Sequence, residues 1–250
     1  MCQGVEIPIL LSASVRLFTF DNSIRVPTRW LSREQRKRYK SNSLGILHEP
    51  EEEGVFLDAL NSLPAGGAYV NIGAAWGYYS LLAKKTRPEL DIFAVEAHPR
   101  MCSMIYEASM INHISGISVI NSAVVGKNEI GRREMRIKFG YGASVTPEDS
   151  VNKNESIRVG LIDLGVILGS IPNPEIMISM DVQGSEEGVC RDLATQPEMG
   201  ARVSKIIVGT HGTERHDICK EMLEKSGFSI DFDEPAPLEQ PDGIILATKK

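Results

Sequence analysis

"AYVNIGAAWGYYSLL", Ala68 to Leu82, is the stretch on which the fold turns. Its first residues are apolar and β-leaning, while Tyr78, Tyr79, Leu81 and Leu82 recur at the spacing of one helix face. Strand passes to helix through Asn71-Ile72-Gly73-Ala74-Ala75-Trp76-Gly77. Glycine tolerates positive φ and lets a ligand or a second backbone come close. In open parallel sheets ligands lie beyond the carboxyl ends of the strands. Gly73, Ala74 and Gly77 therefore mark room for a charged tail against backbone N–H groups and a helix amino terminus.

The strand-to-helix rhythm continues outward from this turn. Asp91–Ala97, Ile117–Val125, Glu175–Val182 and Ser204–His211 are apolar runs, and the segments beginning near Pro99, Ser185 and Glu214 have helical character. Continuous apolar strands separated by helices predict a parallel sheet covered on both faces. "FSIDFDE" and "GIILATK" at the end have only the proline-rich loop Pro235–Pro241 between them, so they are expected to pair antiparallel at one edge. The expected fold class is α/β, with a seven-stranded, mostly parallel sheet whose last strand is reversed. Residues 1–60 read as an amino-terminal extension: a strand-like start, the basic segment Arg25–Lys40, then the helix "EPEEEGVFLDAL" with its acids in the first turn. Residues 61–250 read as the main domain. It carries an insertion at about 126–160, in which "REMRIKFG" and "ESIRVGLI" are expected to form a hairpin, and Asp163 then caps a crossover helix.

The net charge of −6 over 250 residues argues against a general nucleic-acid coat. Arg25–Lys40 is a local exception, either a solvated helix face or a patch for an anionic group. The four cysteines are scattered, with no CxxC pair, as in a reducing compartment. "IPILL" near the start has no basic flank or cleavage pattern, and no apolar stretch reaches membrane-span length. A soluble, cytoplasmic protein is the expectation.

Two further strand ends add to the first. Glu96 closes "DIFAVE" nineteen positions after Gly77, where an acid can accept hydrogen bonds from both hydroxyls of a ribose. Asn121-Ser122-Ala123 after the next strand offers polar groups to a base edge and a small residue to admit it. Tail, ribose and base sites thus follow one another across the crevice. "GAAWG" does not contain GxGxxG, and GxxxxGK[ST] is absent. S-adenosylmethionine (SAM) suits the turn better, because its amino-acid tail needs a small backbone-lined bend and not a pyrophosphate cradle. The bland alternative is that the glycines only make a tight turn and Glu96 is a solvated strand end.

From about Leu44 to Lys249 the chain resembles the FkbM-type family of SAM-dependent methyltransferases. That family has Asp-x-Gly-Ala-Asn-x-Gly-x-Tyr at the first turn, where this chain has Asn71 to Tyr79. Its Glu-Pro-x-Pro corresponds to Glu96-Ala97-His98-Pro99, and its Asn-x-Ala-Val to Asn121-Ser122-Ala123-Val124. Its Asp-x-Glu-Gly becomes Asp181-Val182-Gln183-Gly184, and "VGTHG" and "DGIIL" also look like family members. The resemblance implies a Rossmann-like class I fold, SAM as cofactor, and methyl transfer to a hydroxyl on a sugar, glycoconjugate or secondary metabolite. The partner it implies is a small-molecule or glycan acceptor. Asn71, Ala75 and Gln183 depart from the pattern by removing an acid, an amide and a second acid. A SAM- or nucleoside-binding protein that no longer catalyses is therefore the alternative.

Methyl transfer from a sulfonium is an in-line displacement, so alignment matters most. An alcohol also needs a base for its departing proton. His211 after the fifth strand is the candidate base, with Asp181 at the fourth as its orienter or as an acceptor of the substrate hydroxyl. The same pair could ligate a metal with a third group, but no compact ligand cluster announces one, and no metal is expected. The loop Glu234–Asp242 is expected at the same edge, as a lid or a rigid turn.

Overall fold

The structure, a computed structural model, describes residues 15–130, 135–138, 145–147 and 156–250. The strand-like start expected before residue 15 lies outside the described residues. Strands β1 (Leu17–Thr19) and β2 (Arg25–Pro27) pair antiparallel. Helix α1 (Arg33–Ser41) follows, opened by a capping box in which Ser32 accepts the Gln35 N–H and the Gln35 side chain accepts the Ser32 N–H. Only Tyr39 of α1 is buried, so the basic segment is chiefly a solvated helix. Helix α2 (Pro50–Asn61) carries Glu51, Glu52 and Glu53 in its first turn.

The main domain then alternates as its sequence implies. Strand β3 (Ala68–Ile72) leads to α3 (Tyr78–Thr86), β4 (Asp91–Glu96) to α4 (Pro99–Asn112), and β5 (Ile117–Asn121) to the two-residue β6 (Ala123–Val124). After the inserted strands β7 (Met135–Lys138), β8 (Val145–Pro147), β9 (Ser156–Arg158) and β10 (Leu161–Ile162) comes α5 (Leu164–Ser170). The rest is β11 (Ile176–Met180), α6 (Glu186–Thr195), β12 (Val203–Thr210), α7 (Thr213–Lys225), β13 (Phe228–Glu234) and β14 (Gly243–Lys249). The seven-stranded sheet runs β13-β14-β12-β11-β3-β4-β5, with β14 antiparallel to both of its neighbours and the other pairings parallel. The order reverses between β3 and β11, and there the crevice opens.

Burial on both faces explains the apolar runs. In β3, Ala68, Val70 and Ile72 point into one core while Tyr69 points into the other, and in β11 Met177 parts from Ile176, Ile178 and Met180 in the same way. Helices α5, α6 and α7 cover one face; α2, α3 and α4 cover the other. Phe18, Phe20, Ile24, Val26 and Tyr39 share the core of that second face with Phe56, Tyr69 and Trp76. Phe20 stacks on Trp76 with ring centroids 6.0 Å apart, and Phe56 packs on Tyr79 at 4.7 Å. This aromatic packing, worth about 0.5–1.5 kcal/mol per pair beyond burial, holds the start of α2 over the ends of β3 and β11.

The insertion is richer than a hairpin. β7 pairs antiparallel with β9, as expected, but also with β8 on its other side. β10 pairs parallel with β6, which the sequence analysis did not foresee. Asp163 caps α5 by accepting the Val166 N–H at 2.9 Å.

Candidate active site

Three residues of the first turn have positive φ: Gly73 at 80°, Ala75 at 48° and Gly77 at 91°. A Cβ on Gly73 would lie 1.8 Å from the Asp181 carbonyl oxygen, so glycine is required there by the end of β11 before any ligand is considered. The N–H groups of Gly73 and Ala74 both donate to the Val95 carbonyl, at 2.9 and 3.0 Å, and that of Gly77 donates to Ala74. The expectation that these groups greet a charged tail therefore meets a turn in which the N–H groups of Gly73, Ala74 and Gly77 are spent on the protein's own carbonyls and that of Ala75 on Glu96.

The side chains around the turn form the receptive surface instead. A small solvent-open cleft with a cavity volume of about 50 Å3 lies beside it, room for a charged end group and not for a whole nucleoside. Asn71, Gly73, Ala74 and Asp181 line it together with Glu49, Glu52, Trp76 and Tyr79. Asn71 donates to Ser80 Oγ at 3.0 Å and accepts from Ser179 Oγ at 3.3 Å, tying β3, β11 and α3 together. Among the described residues, four buried side-chain polar atoms have no hydrogen-bond partner. Three of them, Trp76 Nε1, Tyr79 OH and Asp181 Oδ1, belong to residues of this lining. Of these, the Tyr79 hydroxyl still faces the Glu49 carboxylate and eases its ionisation, and Asp181 Oδ1 stands 3.4 Å from His211 Nε2, which leaves Trp76 Nε1 as the clearest orphan. Such atoms are rare in folded proteins, and their gathering around one cavity points to a bound polar group.

The cavity is acidic. Burial, then Asp242, pushes Glu49 up to about 7; burial, then Glu49, raises Glu52 well above the carboxylate range. Burial, then Glu49, takes Asp181 up to about 8: its side chain as a whole is 41% exposed, but Oδ1 is out of contact with solvent. A cation entering here favours the ionised forms of these acids, which burial and mutual repulsion otherwise hold back.

Glu96 lies one turn away and is joined to the same loop. Its Oε2 accepts the Ala75 N–H at 2.8 Å and its Oε1 the His98 N–H at 2.7 Å. Burial raises its pKa, with the donors from His98 and Ala75 opposing. A carboxylate offers about four acceptor sites, and with the Ala97 N–H also turned toward it about one stays available to a ligand hydroxyl. Asn121 pairs in register with Glu96 and donates from Nδ2 to the carbonyls of Glu96 and Ala97, both at 2.9 Å. The Ser122 N–H also goes to the Glu96 carbonyl. Ala123 is only 3% exposed and gives its N–H to Gly160, so β10 walls the position at which the sequence suggested a base enters. Gly77, Glu96, Asn121, Ser122, Ala123 and His211 lie outside the cavity lining, whereas Asn71, Gly73, Ala74 and Asp181 are brought together in it.

His211 sits at the mouth among carboxylates. Its Nδ1 is 2.8 Å from Glu186 Oε1, and Glu186 is fully buried at the start of α6. Its Nε2 faces Asp242 Oδ1 at 3.1 Å and Asp181 Oδ1 at 3.4 Å, and it contacts the Gln183 amide. Burial works against the imidazolium, but hydrogen bonds to Asp242 and Glu186 and the charge of Asp181 prevail and push His211 up to about 10. Burial likewise opposes Glu186, which the His211 bond holds below the usual range. Asp181 and His211 are thus neighbours, as expected, and Asp242 from the proline-rich loop joins them.

Sequence reasoning missed Glu49, Glu52, Trp76, Tyr79 and Asp242 as site residues. The two glutamates carried only a helix-dipole signal, and the aromatics only a core-face spacing. Asp242 followed a loop already expected at this edge, the one clue available.

The sheet order matches a known arrangement. The chain superposes on a precorrin-6y C5,15-methyltransferase from Geobacter metallireducens with a TM-score of 0.50 and 16% identity, covering 84% of this chain and 92% of that one. The fold is Rossmann-like, of the methyltransferase type. A ribosomal protein L11 methylase from Lactobacillus delbrueckii subsp. bulgaricus gives a TM-score of 0.48 at 11% identity, covering 82% of each chain. No family model matches the sequence, and no curated protein matches it. Within the described residues, no helix of this methyltransferase-type fold is long and apolar enough to cross a membrane.

Proposed function

We propose that this chain is a SAM-dependent methyltransferase acting on a hydroxyl of a sugar, glycoconjugate or secondary metabolite. The observation that carries the reading is the acid-lined cavity with unpartnered Trp76 Nε1, Tyr79 OH and Asp181 Oδ1 beside the glycine turn. An amino-acid zwitterion complements that set. Its carboxylate can accept from Trp76 and Tyr79, and its ammonium can pair with Glu49, Glu52 and Asp181. The acid that Asn71 lacks is thereby supplied from α2. Glu96, with about one acceptor site left over, suits one ribose hydroxyl. The order of the FkbM-like motifs along the chain supports the same assignment.

SAM, when bound, supplies a methyl group on a positively charged sulfur. The protein's part is to hold the acceptor hydroxyl in line and to take its proton. Asp181 and His211 stand at the mouth of the cavity for that purpose. His211 holds a proton of its own at neutral pH, so it serves as base only once that proton is displaced. The same observation favours a second reading, a SAM-binding protein without turnover. A methyl-label transfer screen over sugars, glycolipids and polyketides separates the two. Label incorporated by the wild type and lost at least a hundredfold in His211→Gln, a size typical of general-base removal, supports the enzyme. Tight SAM binding with no labelled product across the screen supports the binder.

A further inference from the structure

Asp181, His211 and Asp242 each offer one atom, and these three atoms lie within 4.8 Å of one another. Two carboxylate oxygens and one ring nitrogen converge from three different loops, after β11, after β12 and before β14. Donors that share one divalent ion at about 2.0–2.2 Å stand roughly 2.8–3.1 Å apart on an octahedron edge and roughly 3.3–3.6 Å apart on a tetrahedron edge. The observed separations from His211 Nε2 are 3.1 and 3.4 Å.

The surroundings fit a ligand set better than a plain ion pair. Glu186 takes the Nδ1 side of His211 at 2.8 Å, the carboxylate support that metal-bound imidazoles almost always have. That bond leaves Nε2 pointing at two acids, with the Gln183 amide also against it at 2.5 Å, so an ion at Nε2 requires the Gln183 side chain to turn aside. A single N–H at Nε2 cannot serve both oxygens, and 3.4 Å exceeds the usual N–H···O range. Asp181 Oδ1 accordingly has no hydrogen-bond partner although it is out of contact with solvent. Around the three donors stand Glu49, Glu52 and Glu186, with Arg215 Nε at 3.8 Å from Glu186 and Arg38 acting on Glu49 from the other side.

We propose that Asp181, His211 Nε2 and Asp242 bind a divalent first-row transition-metal ion at the mouth of the cavity. Mixed imidazole and carboxylate donors suit Mn2+ and Zn2+ more than Mg2+, which prefers oxygen alone. The two aspartates balance the ion's charge, and three protein ligands leave positions open for water or an acceptor oxygen. Coordination would lower the pKa of such a hydroxyl and displace the proton from His211. That use rests on the methyl-transfer reading; the binding site itself does not.

The test is titration of MnCl2 into the chelator-treated full chain without SAM, with free Mn2+ read by electron paramagnetic resonance. The expected result is one Mn2+ per chain, weakened at least tenfold in Asp242→Asn and in His211→Gln, with the wild-type circular dichroism retained. Glu186→Gln is expected to weaken it about 10- to 100-fold through the lost ring support. Spin-echo spectra of the wild-type complex are expected to show coupling to one imidazole nitrogen, a readout that needs no variant to fold. No bound Mn2+, binding unchanged in the folded variants, or coordination by oxygen alone would overturn the site. Because SAM is absent throughout, failure here leaves SAM binding to be judged separately.

Discussion

The Ala75 N–H and Glu96 Oε2 lie 2.8 Å apart, a hydrogen bond that joins the bend after β3 to the acid at the end of β4. The same carboxylate holds the His98 N–H. One side chain thus fixes two loops that border the crevice. Charge-assisted bonds of this kind are worth about 1.5–3 kcal/mol each. Glu96→Gln keeps one acceptor and sets an amide against one N–H. The expected outcome is a loss of roughly 2 kcal/mol in stability and at least tenfold in SAM affinity, measured by denaturant unfolding and calorimetry.

Ala75 has φ of 48°, the left-handed region that costs an L-residue roughly 1–2 kcal/mol and that asparagine tolerates better. Ala75→Asn is therefore expected to stabilise the protein by about 0.5–1 kcal/mol, a rise in Tm of roughly 1–4 °C. Thermal unfolding checks it; a lower Tm would mean that the loop relaxes differently.

Gly73→Ala places a methyl carbon 1.8 Å from the backbone oxygen of Asp181, at φ of 80°. Backbone cannot yield as a flexible side chain does. The expected cost exceeds about 3 kcal/mol, in the range reserved for strained or overpacked sites. Gly66→Ala, with φ of 85° but nothing within 4 Å of its Cβ, isolates the strain of positive φ alone and is expected to cost much less. Equal losses in the two variants would refute the close-contact argument.

His48 is buried among Phe20, Tyr39, Trp76 and Tyr78, and burial, then Arg38, pushes it down to about 3 from 6.5. The unfolded chain takes up this proton near pH 6.5 and the fold refuses it until about 3. Its contribution is therefore intact above pH 6.5 and is lost as pH falls toward 3. Between pH 7 and pH 4 the stability of the wild type relative to His48→Phe is expected to drop by roughly 3 kcal/mol. Parallel pH curves for the two proteins would place the acid sensitivity elsewhere.

The sheet was legible because each of its central strands is buried on both faces, which leaves a largely apolar run such as Ile176 to Met180, broken only by Ser179. The reversal of β14 was legible because Pro235–Pro241 leaves no room for a crossover helix. Gly73, Glu96 and Asp181 announced a crevice because strand ends of a parallel sheet converge by topology. What stayed hidden depends on contacts distant in sequence. Glu49 and Glu52 reach the cavity only because Phe20 and Phe56 pack on Trp76 and Tyr79. Asp242 meets His211 only because β14 slots between β12 and β13. β8 and the β6–β10 pair were hidden because two or three residues carry too little period to read.

The central claim is that the unpartnered atoms beside the glycine turn receive the tail of SAM. Calorimetric titration of the full chain with SAM, and with S-adenosylhomocysteine, tests it most directly, with Trp76→Phe as the paired variant because it removes one donor and keeps an aromatic ring. The account expects one site per chain of micromolar affinity for both ligands, weakened at least threefold in the folded Trp76→Phe protein by the loss of a bond of about 1 kcal/mol. A folded wild type that binds neither ligand, or a variant that binds both as tightly as the wild type, would contradict it.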